Sequence, residues 1–211
     1  MKKLVYFGLV LLLIACKNEK KKSENQEPQI EAKEDVRKIE VLDTLSVPQF
    51  QYWSHNNVVT TDQGNGIVKF NRTDASVAGY SSINNIGVFA GSKYRVTAMV
   101  KKGAKGNQFG LRLSSVYPNR ADAVFDLTNG TVVGTYSNGD FENESANIEL
   151  VGEDWYKCSI SAEVFSNKIF VFLGSTNESK RVSHWEGKGG EKYESDIYIN
   201  KDNILIEEIG L

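Results

Sequence analysis

Three short stretches set aromatic rings beside polar side chains. Tyr52-Trp53 is followed by His55, Asn56 and Asn57. Tyr117 stands in Ser115-Val116-Tyr117-Pro118-Asn119-Arg120. His184-Trp185-Glu186 leads into a glycine-rich stretch that Tyr193 closes. An aromatic ring offers a flat apolar face, and amides, carboxylates and a guanidinium supply donors and acceptors around it. That combination suits a ligand with a flat C–H face and a rim of hydroxyls, which is the chemistry of a sugar. Trp185, Tyr117 and Arg120 are the leading contact residues on this reading, with Trp53 and Tyr193 behind them. Trp185 lies among Ser, His, Glu and Gly and is expected to be exposed. Trp53 has a second reading, as a ring that plugs the body of the protein near its start. An exposed tryptophan also serves protein partners.

Chemistry of turnover is poorly supplied. The two histidines, His55 and His184, both fall in polar, loop-like surroundings. Gly91-Ser92-Lys93 lacks the strand–GxSxG–helix frame of an activated serine. HExxH, Cys/His metal spacings and phosphate-cradling loops do not occur. A glycosidase needs two carboxylates across the scissile bond, and the sequence pairs none of its many. Polysaccharide lyases of the jelly-roll type place Arg, Gln or His, and Tyr in one groove, and no such set is visible. His184 with Tyr193 is the single acid–base combination, and a solvated loop histidine is the plainer account of it.

The elements that must carry these residues are strands. Tyr94, Val96, Ala98 and Val100 alternate with Arg95, Thr97, Met99 and Lys101. The same two-residue repeat runs through Phe109–Ser114, Ala146–Val151 and Tyr156–Ala162, as half-buried strands require. Lys168–Leu173 is apolar on both faces and fits a central strand. Turn signals separate the runs, at Gly64-Asn65-Gly66, Asn129-Gly130, Asn138-Gly139 and from Gly187 to Gly190. Many short strands joined by Gly/Asn turns predict an all-β fold, an antiparallel β-sandwich or jelly roll. Tyr156 shares a face with Cys158 and Ile160, so Trp155 points the other way; both are expected to pack at the core or its edge.

Three segments, in order, carry a family resemblance. They are Gly91-Ser92-Lys93-Tyr94 through Lys102-Gly103, Val124-Phe125-Asp126-Leu127-Thr128-Asn129-Gly130-Thr131-Val132, and Ala146 through Gly152-Glu153-Asp154-Trp155-Tyr156 to Ile160. Together they resemble a jelly-roll module of the carbohydrate-binding type, whose relatives occur in phage tail-fibre and spike proteins and beside polysaccharide-degrading enzymes. The likeness spans about Trp53 to Glu208. Its closing strands match Tyr193–Glu208, with Asn200 where the family has an aromatic. The resemblance implies a polysaccharide or oligosaccharide partner, bound without turnover. It also implies a structural calcium tying the first and last strands, for which Asp43, Asp62 and Glu207 are conceivable oxygen donors.

The amino-terminal end sets the location. Met1-Lys2-Lys3, an apolar run from Leu4 to Ile14, and Ala15-Cys16 give the charged, apolar and small-residue order of a secretory signal. The run falls short of the roughly 20 apolar residues that span a bilayer. Cysteine at the cut resembles the lipobox of bacterial lipoproteins, which implies removal of residues 1–15 and lipidation of Cys16. Residues 16–40 then read as a lipidated cysteine and a charged flexible tether, and 41–211 as the folded domain. Export to the bacterial outer membrane or cell surface follows, with the lipid as the membrane contact. With Cys16 acylated, Cys158 has no disulfide partner and becomes a small buried apolar residue. The formal charge is −2, and losing Lys2 and Lys3 with the leader takes it to −4. A mildly acidic domain with no basic stripe argues against nucleic acid. The alternatives to a sugar binder are an adhesin-like module for envelope protein partners and, behind it, a lyase or glycosidase.

Overall fold

The computed structural model describes residues 39–74, 76–176, 181–187 and 194–210. Cys16 and Tyr193 lie outside the described residues. Thirteen strands form among the described residues: β1 Val41–Leu45, β2 Ser54–Asn56, β3 Val59–Gly64, β4 Ile67–Arg72, β5 Tyr80–Gly87, β6 Ser92–Lys102, β7 Gln108–Ser114, β8 Arg120–Asp126, β9 Thr131–Asn138, β10 Phe141–Gly152, β11 Trp155–Val164, β12 Lys168–Thr176 and β13 Ser195–Ile209. A seven-stranded sheet runs β10-β11-β6-β13-β4-β3, with β1 added along β13. A six-stranded sheet runs β2-β5-β12-β7-β8-β9. The strands pair antiparallel in both sheets. This is the antiparallel β-sandwich that the alternation predicts.

The core lies between the sheets. From one side come Tyr94, Val96, Ala98 and Val100 of β6 and Cys158, Ile160 and Ala162 of β11, all sealed from solvent. Opposite them are Phe109, Leu111 and Leu113 of β7, Ala121, Ala123 and Phe125 of β8, and Ile169, Val171 and Leu173 of β12. Burying each of the larger aliphatic and aromatic chains is worth roughly 1.5–3 kcal/mol. Tyr94 keeps its hydroxyl satisfied by accepting a hydrogen bond from the Phe89 amide at 2.8 Å. Burial drives the Cys158 thiol far above its ordinary pKa, so it behaves as the apolar filler expected of it.

The turns follow from their residues. Gly130 closes the β8–β9 hairpin at φ +64°, a left-handed conformation that glycine adopts without a Cβ penalty. Asp126 Oδ1 accepts from the amides of Thr128 and Asn129 and holds that reversal. Glu153 and Asp154 turn β10 into β11 and send Trp155 and Tyr156 to opposite faces. Both rings end half-buried, with Tyr156 against the core.

Candidate functional site

The two outer faces of the sandwich are not alike. On the six-stranded sheet three rows of side chains cross the strands and point away from the core. Antiparallel register fixes them, because residues directly opposite share a face. The first row is Gly174, Gly110, Val124 and Gly134; the second is Phe172, Arg112, Asp122 and Tyr136; the third is Phe170, Ser114, Arg120 and Asn138. The first row is nearly bare of side chain. Segment 181–187 crosses it as a strap.

Trp185 fills that bare row. Its indole lies on the paired glycines Gly110 and Gly174, and a Cβ on Gly110 would overlap the ring. The strap is pinned at several points. Thr176 Oγ1 donates to the Trp185 carbonyl at 2.9 Å, and the Gly79 amide donates to the Glu186 carbonyl at 2.9 Å. Arg72 Nη2 donates to the Gly187 carbonyl at 2.8 Å. Trp185 is therefore 0 % exposed, which corrects the expectation of an open ring there. Its surroundings in sequence are polar, but the two glycines that receive it come from other strands.

The second row is a buried charge network. Arg112 Nε donates to Asp122 Oδ1 at 2.6 Å, and its two terminal nitrogens donate to the two oxygens of Glu186 at 2.7 Å each. Trp185 Nε1 also donates to Asp122 Oδ1, at 3.0 Å. Such a two-pronged Arg–carboxylate pair is the strong form of ionic hydrogen bond. Burial opposes the charge on Arg112, yet Asp122 and Glu186 together hold its pKa above the ordinary arginine value. Burial pushes the Asp122 carboxyl up to about 6, against the pull of Arg112 and Arg120. The Arg112 guanidinium also lies 5.8 Å from the Phe172 ring and 5.6 Å from the Trp185 ring.

Arg120, in the third row, is held differently. Its guanidinium sits between the rings of Tyr117 and Tyr136, at 5.6 and 5.7 Å from their centroids. Its Nε approaches Asp122 Oδ2 to 3.1 Å, but off the hydrogen-bonding axis, and both atoms are buried without a hydrogen bond. Tyr117 covers it from the β7–β8 loop and is 80 % exposed. That loop is braced by Ser115 Oγ and Asn119 Nδ2, which both donate to Asp140 Oδ2, at 2.7 and 2.9 Å. Between the loop and the strap lies a groove of about 470 Å³, walled by Tyr117, Arg120, Arg112, Glu186, Phe172 and Asn84.

Of the residues singled out in sequence, the groove brings together Tyr117 and Arg120. Trp53 is 4 % exposed, packs on Phe50 and donates its Nε1 to the Pro48 carbonyl, so it takes the plug reading. His184 is exposed and bonded to its neighbour Ser183, and its expected partner Tyr193 lies outside the described residues. His55 is exposed, partial desolvation of its ring lowers its pKa, and its Nδ1 meets Ser81 Oγ at 2.5 Å. The conceivable calcium donors do not converge. Asp43 on β1 and Glu207 on β13 lie on paired strands, where Glu207 is bonded to Arg95 at 2.9 Å, but Asp62 is on β3, two strands from β13. Among the described residues no group of three His, Cys, Asp or Glu could hold a metal.

A larger cavity, about 640 Å³, opens between Val47–Gln51 and β3, β4 and β13. Its rings are Phe50, which is turned into the core, and the small imidazole of His55. It presents no exposed Tyr or Trp among its lining residues, and the smaller groove is the better candidate. Sequence reasoning passed over Arg112, Asp122 and Glu186. Two charges, each set between core residues in mid-strand (Leu111-Arg112-Leu113 and Ala121-Asp122-Ala123), were the signal for them.

No protein-family model matches the chain, and no curated protein does. Similar solved structures include a family 6 carbohydrate-binding module from Clostridium cellulolyticum in complex with xylose, at 15% identity over 74% of this chain and 94% of that chain, with a TM-score of 0.35. A module from Cellvibrio mixtus lichenase 5A in complex with cellotriose matches at 11% identity over 82% and 99%, TM-score 0.38. A beta-1,3-glucan binding module from Bacillus halodurans matches at 11% over 76% and 92%, TM-score 0.39. At those values the likeness adds nothing to the case for a ligand, which rests on the groove itself.

Proposed function

We propose that this chain binds carbohydrate, without turning it over, in the groove on the outer face of the six-stranded sheet. One observation carries the reading: the Tyr117 ring is presented to solvent over a groove whose walls supply a guanidinium, a carboxylate and amides. A stacking face with convergent polar groups is what a sugar needs. Asp122 and Glu186 are both spent on Arg112, which favours binding over acid–base work. Acylation at Cys16 and placement at the bacterial envelope belong to the same proposal and rest on Met1–Cys16. Mass spectrometry of the mature amino terminus tests that part.

A glycan array tests the binding. Retention of a polysaccharide that falls at least tenfold in Tyr117→Ala, with the fold intact, is the expected result. Silence across the array would end the reading. A protein partner is the second reading. Phe89 and Phe165 expose their rings on adjacent loops, which are tied by the Val88 amide to the Asn167 carbonyl at 3.1 Å. Capture of an envelope protein that is lost in Phe89→Ser, by a chain that binds no glycan, favours it.

A further inference from the structure

Arg112 and Arg120 both pair with the Asp122 carboxylate, yet only Arg112 is hydrogen-bonded to it. Arg112 spends its fork on Asp122 and Glu186. Arg120 is 5 % exposed, and among the described residues its guanidinium makes no hydrogen bond of proper geometry. Its Nε is buried without a hydrogen bond, and its charge is met only off axis, by Asp122 Oδ2 at 3.1 Å, so its burial is incompletely compensated. It is nonetheless held rigidly, between two tyrosine rings and at the groove wall. The two rings cover the guanidinium where it meets the groove. A planar fork matches a carboxylate or a sulfate, each of which presents paired oxygens.

The neighbours supply that anion only in part. Glu186 is turned to Arg112 with both oxygens, and Asp122 Oδ1 is shared by Arg112 and Trp185. Asp122 Oδ2 faces Arg120 but is misaligned with it. We propose that the groove takes a saccharide bearing an acidic group, a uronate carboxylate or a sulfate ester, and that Arg120 receives that group while Tyr117 stacks on the sugar. This inference rests on the carbohydrate reading above and narrows its ligand class.

The test is an array of matched pairs probed with the full chain: oligogalacturonate against its methyl ester, and sulfated against unsulfated forms of the same galactan and glucan. The acidic member is expected to bind at least tenfold tighter than its neutral twin, with the uronate and sulfate arms separating the two sources of charge. Arg120→Gln is expected to remove that preference, and Arg120→Lys to restore part of it. Should Arg120→Gln not fold, the wild-type comparison of free acid and ester decides alone. Equal binding of neutral and acidic members overturns the inference and leaves the carbohydrate reading standing. No binding by any member removes both. Competition by inorganic sulfate as strong as by the sulfated sugar also overturns it, since the site would then read a bare anion.

Discussion

The outer faces of the two sheets teach opposite lessons about charge. On the seven-stranded sheet Arg95, Met99 and Lys101 of β6 and Lys157 of β11 keep contact with solvent. Of its ion pairs, Arg95 with Glu207 at 2.8 Å is partly open to water, and Lys69 with Asp196 at 2.8 Å keeps its lysine in solvent over a buried carboxylate. On the six-stranded sheet β7 is buried at every position, and β8 at all but its last. There the strap has sealed an ion network in which Asp122 is wholly enclosed. Strands with the same alternating pattern therefore carry decoration on one face and a built, ordered cluster on the other. A charge on a solvated face is weakly coupled to the fold. A charge under the strap is bound up with it.

The largest test of that contrast is Arg112→Met. It leaves Asp122 and Glu186 without their common partner, and removing one member of a buried ionic cluster costs about 3–5 kcal/mol. Urea denaturation measures it, and a loss under 1 kcal/mol would mean that the covered face is no different from the open one. Next is Gly110→Ala, which forces the indole of Trp185 off its floor. Overpacking of this kind costs about 1–3 kcal/mol, and the displaced ring should shift the tryptophan emission to the red. Third is pH. Asp122 binds a proton more tightly in the fold than in the unfolded chain, so its contribution to stability is full below pH 4 and is lost as pH rises through about 6. The wild type should lose stability across that window relative to Asp122→Asn, and parallel curves would refute the assignment. The smallest effect is expected on the open face. Arg95→Ala should cost less than about 1 kcal/mol, as a pair partly screened by water does.

Fold and site were not equally legible in the sequence. The strands of β6 and β11 declare themselves because alternation records one dry face and one wet face, and Val96 beside Arg95 is enough to set the phase. The turn at Asp126–Gly130 is equally local. Tyr117 and Arg120 were findable because they stand three residues apart in one short stretch, where the loop runs into β8. Trp185 was misjudged because burial depends on what the strands leave empty, and Gly110, the floor its ring lies on, is far from it along the chain. Phe170 and Phe172, apolar on the outer face of β12, were instead the trace of the groove they line.

The connector from Ser115 to Asn119 is short, leans on a single aspartate, and carries the ring that a ligand would meet first. Tyr117 meets the body chiefly through the Arg120 guanidinium beneath it. Exchange of that one side chain could redirect the protein to new ligands while the body that presents it goes on unchanged, so variation among descendants of this gene should gather at that tip.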